Sequence, residues 1–283
     1  MKIDPLFLKQ LDRFSIILKK KVTSSFVGER ESPFMGSGLI FSEYSNYRPG
    51  DDFKHIDWRA YARTNRLFVK RFEENRELAV HVLVDFSSSM NFGSHVKKYE
   101  FASQLGLGFC YIALKNNEKF VLSTFDTSLD FYRPSKGQRQ LGAVIDFLGS
   151  KKAQGKTAFG DALSRYKSLI TQKSLVVIIS DFFYPLEEIR EVLYHLRRHS
   201  VIFVQVLDGV ERKMNLSGDY HLVDLESGES LRTYIDPYLK KQYFERLERH
   251  NAEVQDACSA VGAQFYSVGS DENIFDIFYT ILT

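Results

Sequence analysis

The sequence predicts an α/β fold with a mostly parallel central sheet, and three observations predict it. From Glu77 to the end, short apolar runs alternate with helical patterns of roughly 10 to 20 residues, the rhythm of crossover units. The runs are mostly apolar, as in strands buried on both faces. Two of them, Leu78 to Val84 and Leu175 to Ile179, give way at once to Asp85 and to Ser180-Asp181. In open parallel sheets ligands gather beyond the carboxyl ends of strands, where strand order reverses.

The elements follow in chain order. Residues 4–20 set Leu6, Leu8, Leu11, Phe14, Ile17 and Leu18 near helical spacing. A polar stretch, 20–32, leads into an aromatic segment, 34–72, that reads as irregular around Gly36, Gly38 and the Pro49-Gly50 turn. The strand ending at Val84 precedes a helix over 99–115, where Gly106 and Gly108 imply close packing against a neighbour. A strand over 120–125 and helices over 141–148 and 157–170 come next, then the strand over 175–179. A helix over 186–199 precedes a strand over 201–207, and residues 221–234 form a hairpin around Ser227-Gly228. The chain closes with a helix over 237–260, a strand over 264–268 and a helix over 274–282. Two divisions result: a front segment over 1–76, and the α/β domain over 77–283.

Composition narrows the function. Hydrophobic residues are 44% and charged residues 26%, the balance of a globular protein with a real core, here rich in Phe (24) and Tyr (15). A formal net charge of +2 gives no support to wholesale nucleic-acid binding. Cys110 and Cys258 lack Cys-x-x-Cys spacing and read as reduced core thiols, which argues against a structural zinc. Lys9, Asp12 and Arg13 break any secretory apolar stretch, and no apolar run reaches the roughly 18 to 20 residues that span a bilayer. The expected compartment is the cytoplasm.

The chemistry concentrates in Asp85-Phe86-Ser87-Ser88-Ser89. In a tight loop, alternate residues point the same way, so Asp85, Ser87 and Ser89 converge. One carboxylate and two hydroxyls are hard oxygen donors of the kind that suit Mg²⁺ or Mn²⁺. Thr157, after Gly155-Lys156, offers a third hydroxyl, and Asp181 a second carboxylate. Two carboxylates about 5 Å apart repel by roughly 3 kcal/mol at an effective dielectric near 20, and a dication reverses that sign. With so few protein charges the ion keeps water or accepts one outside ligand, for which an acidic side chain of a partner protein is the natural candidate.

The Asp-x-Ser-x-Ser loop followed by the Thr and Asp loops resembles the metal-ion-dependent adhesion site of von Willebrand factor A domains. On that resemblance Asp85, Ser87, Ser89, Thr157 and Asp181 match the metal-binding positions. Upstream, Tyr47-Arg48-Pro49-Gly50-Asp51-Asp52, His55-Ile56-Asp57-Trp58-Arg59 and Ala62-Arg63 are similar to the signature of the bacterial "domain of unknown function 58" proteins. Ser89-Met90-Asn91-Phe92-Gly93 and Asp224-Leu225-Glu226-Ser227-Gly228-Glu229 resemble its later landmarks, so the likeness runs from about residue 34 to the end. It implies a Rossmann-like von Willebrand factor A fold, a protein-binding rather than catalytic role, and a partner among MoxR-type AAA+ ATPases in chaperone-like maturation of other proteins. The chain has no Gly-x-x-x-x-Gly-Lys-Ser/Thr loop of its own.

Plainer readings stand beside these. Asp and Ser are common turn formers, and Ser87 can cap a helix. Asp52 suits an N-cap, Trp58 a core position, and Arg48, Arg59 and Arg63 suit pairing with Asp51, Asp52 and Asp57. His195 and His199 read as surface residues near a helix C-terminus, since no zincin-type glutamate accompanies them. Two alternatives to a binding module are a phosphatase-like hydrolase with Asp85 as nucleophile and a structural subunit with an empty metal loop. The first lacks a second aspartate two residues on, where Ser87 stands.

Overall fold

The aromatic front segment folds into a small unit of its own. In this computed structural model, residues 7, 11, 39–74, 79–93, 95–132, 140–155, 158–226 and 228–282 are described. Two compact units emerge, Ser25–Glu77 and Met1–Ser24 with Leu78–Thr283. The small unit pairs β1 (Leu39–Asn46) antiparallel with β2 (Phe68–Glu74), around a one-turn 3₁₀ helix (Phe53–His55) and α1 (Trp58–Thr64). The sequence expectation of an irregular segment is therefore corrected. Its strands were hidden by the turn residues between them, which break any period-2 pattern.

Aspartates organise this unit. Asp52 accepts from the Lys54 N–H and caps the 3₁₀ turn, as expected. Asp57 caps α1 by accepting from the N–H groups of Arg59 and Ala60, while its other oxygen takes the Tyr44 hydroxyl at 2.7 Å and Lys70 Nζ at 3.1 Å. The Tyr44 hydrogen bond, the backbone N–H groups and Lys70 hold the Asp57 carboxyl well below the usual carboxylate range. Trp58 is 60% exposed, so its expected core position is also corrected: it stands on the outer face of α1, edge-on to Tyr61.

The larger unit follows the expected alternation. Its elements are β3 (Ala79–Asp85), α2 (Lys98–Lys115), β4 (Lys119–Phe125), β5 (Leu129–Tyr132), α3 (Gln140–Gly149) and α4 (Phe159–Tyr166). Then come β6 (Ser174–Ser180), α5 (Leu186–Leu196), β7 (Ser200–Leu207), α6 (Gly209–Lys213) and the antiparallel hairpin of β8 (Gly218–Val223) and β9 (Ser230–Ile235). The chain ends with α7 (Pro237–Ala260), β10 (Gln264–Gly269) and α8 (Ile274–Leu282). The six-stranded sheet has the order β10-β7-β6-β3-β4-β5, parallel except for the edge strand β5.

Strand β3 opens this unit's sheet. The chain then steps through β4 and β5 to one side and returns through β6, β7 and β10 to the other. The order thus reverses between β3 and β6, the strands that end at Asp85 and Ser180. Successive residues of these strands feed cores on opposite faces: Val82, Val84, Val177 and Ile179 on one, Leu83, Val176 and Ile178 on the other. Phe7 and Leu11 also belong to the first core, Phe7 against Phe275. Among the described residues no helix is long and apolar enough to cross a membrane.

Both glycines of α2 pack closely. A Cβ on Gly106 would lie 2.9 Å from Val84 Cγ2, and one on Gly108 would lie 2.2 Å from Cζ of the fully buried Phe278. Helix propensity alone would have Gly108→Ala stabilise by up to about 1 kcal/mol. The overlap with Phe278 reverses the sign, and we expect a loss of about 1–3 kcal/mol in urea unfolding.

Candidate metal centre

Strand register builds the centre. Because Val84 pairs with Ile179, Asp85 emerges beside Ser180, and the Ser180 hydroxyl donates to Asp85 Oδ2 at 2.7 Å. The Tyr184 hydroxyl donates to the same oxygen and lies 2.9 Å from Ser180 Oγ. Asp85 Oδ1 accepts the Ser87 N–H at 2.8 Å, which folds the loop back over the strand end. Ser87 and Ser89 thereby share a side, with their hydroxyl oxygens 3.0 Å apart. The N-cap of the 3₁₀ turn that follows (Ser89–Asn91) is Ser88, which makes no side-chain cap, while the Ser87 hydroxyl meets Ser89.

The second loop is tied to the first through backbone. Ser88 N–H donates to Gly155 O at 3.0 Å, and Gln154 N–H to Phe86 O at 3.0 Å. Gly155 takes φ +85°, a conformation L side chains rarely adopt, to make that turn. Thr157 lies outside the described residues; the segment just before it is held against the Asp85 loop.

Asp181 follows β6 directly and is 1% exposed. Its Oδ2 receives Lys98 Nζ at 2.9 Å, and Lys98 reaches Glu211 Oε1 at the same distance. Lys98, at the first turn of α2, is also 1% exposed. Glu211 sits on α6, where its other oxygen accepts the Asp208 N–H and its carbonyl accepts the Tyr243 hydroxyl. The residue after Asp181, Phe182, has φ +53° although it is bulky, and its ring is stacked on Phe203 with centroids 4.5 Å apart. A packed aromatic thus sets the turn that presents Asp181.

The structure brings Asp85, Ser87, Ser89 and Asp181 to one end of the sheet. Sequence reasoning missed Lys98, Ser180, Tyr184 and Glu211. Ser180 had a signal in its place beside Asp181 at a strand end. Lys98 reads as an ordinary surface cation, and Glu211 as part of a charged turn.

Charge decides what this end can hold. Asp85, Asp181 and Glu211 against Lys98 leave two net negative charges in a buried cluster. Burial first, then the Asp181 charge, pushes the Asp85 carboxyl up to about 6, against the hydrogen bonds from Tyr184, Ser180 and Ser87. Burial pushes the Tyr184 hydroxyl well up, with the Asp85 and Asp181 charges adding to it, so Tyr184 stays a donor. Burial alone would lower Lys98, but Asp181 and Glu211 together raise it. Glu211 nonetheless goes up, since its burial outweighs the attraction of an ammonium it shares with Asp181. Lys98 is the cation that Asp181 and Glu211 share.

The donor set fits a small dication. Metal–oxygen bonds of about 2.0–2.1 Å in an octahedron set neighbouring donors about 2.9–3.0 Å apart. The Ser87 and Ser89 hydroxyls stand at that spacing. A dication matches the two net negative charges, and Asp85 Oδ1, with the Ser87 N–H on it, keeps a lone pair.

A pH prediction follows. The folded value of about 6 exceeds the reference 3.8, so the native state binds the Asp85 proton more tightly than the unfolded chain. Metal-free stability therefore falls as pH rises from about 4 to 6, by on the order of 3 kcal/mol from this group. Urea unfolding in EDTA should show this fall, and Asp85→Ala should lack it. Because ligation needs the carboxylate, Mn²⁺ affinity should rise about tenfold per pH unit up to pH 6.

A parallel sheet with one antiparallel edge, apolar cores on both faces, and an Asp-x-Ser-x-Ser loop beyond the strand at the reversal make this an open α/β domain with its candidate site at the switch point. The family model described as "Protein of unknown function DUF58" matches residues 43–253, and the chain belongs to that family. Uncharacterized protein Rv1480 of Mycobacterium tuberculosis is 25% identical over 275 residues, covering 95% of this chain and 87% of that one. Similar solved structures include conserved hypothetical protein BatB from Bacteroides thetaiotaomicron, at 14% identity and TM-score 0.45, covering 72% of this chain and 95% of BatB. The SpRpn10 VWA domain gives 13% identity and TM-score 0.45, with 73% and 95% covered.

Proposed function

We propose that this chain is a metal-dependent protein-interaction module, not an enzyme. Asp85, Ser87, Ser89, Thr157 and Asp181 would hold Mg²⁺ or Mn²⁺, and a bound dication supplies an electrophilic position for a partner's acidic side chain. The observation that carries this reading is the meeting of Asp85 and Asp181, both buried, with the Ser87–Ser89 hydroxyl pair at the strand-order reversal. Ser180, Tyr184 and the Ser87 N–H fix the Asp85 carboxylate in place, and Lys98 fixes Asp181. Ser87 stands where a phosphatase of that kind needs a second aspartate to protonate the leaving group, which favours binding over the phosphatase-like alternative. On the family resemblance, the partner is a MoxR-type AAA+ ATPase and the role chaperone-like maturation of other proteins.

Two experiments test the proposal. At a metal concentration a hundredfold above the dissociation constant, Mg²⁺ or Mn²⁺ should stabilise the native state by roughly 2.7 kcal/mol. The gain should vanish in Asp85→Ala; an equal gain in that variant rules the site out. A pull-down from native lysate in Mg²⁺ and in EDTA should retain a AAA+ ATPase only with metal, and lose it in Asp181→Ala. Retention indifferent to EDTA contradicts the metal-bridged contact.

A further inference from the structure

The opposite end of the sheet carries a cluster that the metal reading leaves unused. An open depression of about 300 Å³ is lined by Lys167, Tyr194, His195, Arg197 and Arg198. None of its lining residues is acidic, and three carry a fixed positive charge. Among the described residues, no ion pair engages Lys167, Arg197 or Arg198. His195 faces Glu191 at 3.6 Å on its own helix.

Cations at the C-terminal end of α5 are what the helix dipole favours, which accounts for His195, Arg197 and Arg198 taken singly. It does not account for Lys167, which arrives from the 3₁₀ turn after α4 (Lys167–Leu169) and converges on the same depression. Arg197, the C-cap residue of α5, is also held in place. Its guanidinium lies 3.8 Å from the centre of the Tyr194 ring, and its Nη1 donates to Tyr194 O at 3.3 Å. The side chain is thus preorganised without a carboxylate partner.

We infer that this depression, formed by Lys167, Tyr194, His195, Arg197 and Arg198, is a binding site for a phosphate-class oxyanion. Three converging cations match a multiply charged anion rather than a single carboxylate, and arginine forks suit phosphate oxygens. A volume of about 300 Å³ is at the low end for ligand pockets, enough for phosphate or pyrophosphate but small for a whole nucleotide.

The place in the fold makes the site independent of the metal centre. Arg197 and Arg198 precede β7 and Lys167 precedes β6, both parallel to β3, whereas Asp85 and Asp181 lie at or beyond the other strand ends. Seven residues of strand separate the two ends by roughly 23 Å, more than twice the Debye length at physiological salt. The two sites can be filled together.

Calorimetric titration of the full chain with inorganic pyrophosphate, metal-free and at constant ionic strength, tests the inference. Binding should weaken about tenfold or more in Arg197→Gln/Arg198→Gln and, as a separate check, weaken severalfold in Lys167→Gln. These side chains are exposed, and circular dichroism will verify folding. Asp85→Ala should bind as wild type does. ADP binding no tighter than pyrophosphate assigns recognition to the phosphate itself. Absence of pyrophosphate binding, equal binding by the arginine variant, loss in Asp85→Ala, or binding of ADP alone each overturns the assignment.

Discussion

Lys98→Met should cost about 3–5 kcal/mol in urea unfolding, the range for removing one partner of a buried ion pair. The methionine chain fills a similar volume, so little packing is lost. What changes is charge. Lys98 Nζ is 2.9 Å from both Asp181 Oδ2 and Glu211 Oε1, and its side chain is 1% exposed. Without it, buried Asp181 and half-buried Glu211 face each other with the cation between them gone. Adding Glu211→Gln should recover part of the loss, because one stranded charge disappears, and a double-mutant cycle will measure the coupling. A loss below about 1 kcal/mol would mean that the ammonium is replaceable by water and that Asp181 is not held as described.

Phe182→Ala should cost about 3–5 kcal/mol, the range for deleting a buried phenyl ring. The ring is fully buried, stacked on Phe203 and bordered by Phe159, Tyr184 and Phe265. Alanine keeps the unfavourable φ of +53° while losing the packing that sustains it. Since this backbone turn presents Asp181, Mn²⁺ affinity should fall with stability. Phe182→Gly separates the two: glycine accepts the positive φ without strain, so it should lose less Mn²⁺ affinity than Phe182→Ala although both lose the ring's packing. A Phe182→Ala variant with wild-type Mn²⁺ affinity would show that Asp181 does not depend on this anchor.

Parts of this architecture could be read from the chain because they are local. Apart from His81, Leu78 to Val84 and Leu175 to Ile179 are apolar without alternation, and the polar residues that follow them mark the strand ends. The Asp85, Ser87 and Ser89 spacing likewise lies within five residues. The small unit was harder: the pairing of β1 with β2 spans a turn, a 3₁₀ helix and a short α-helix. Edge strand β5 has four residues, too few for a period. Trp58 misled because a lone tryptophan suggests a core, whereas α1 turns it outward. Lys98 and Glu211 were invisible for a different reason. They are 113 residues apart, and only the fold shows that an ordinary lysine and an ordinary glutamate complete the surroundings of Asp181.

Calorimetric titration of the intact chain with Mn²⁺ at pH 7.5 tests the central claim most directly. One ion should bind per chain, with affinity lost in Asp85→Ala and in Ser87→Ala/Ser89→Ala. Failure of the wild type to bind, or unchanged binding after both hydroxyls are removed, would contradict the metal centre and the interaction built on it.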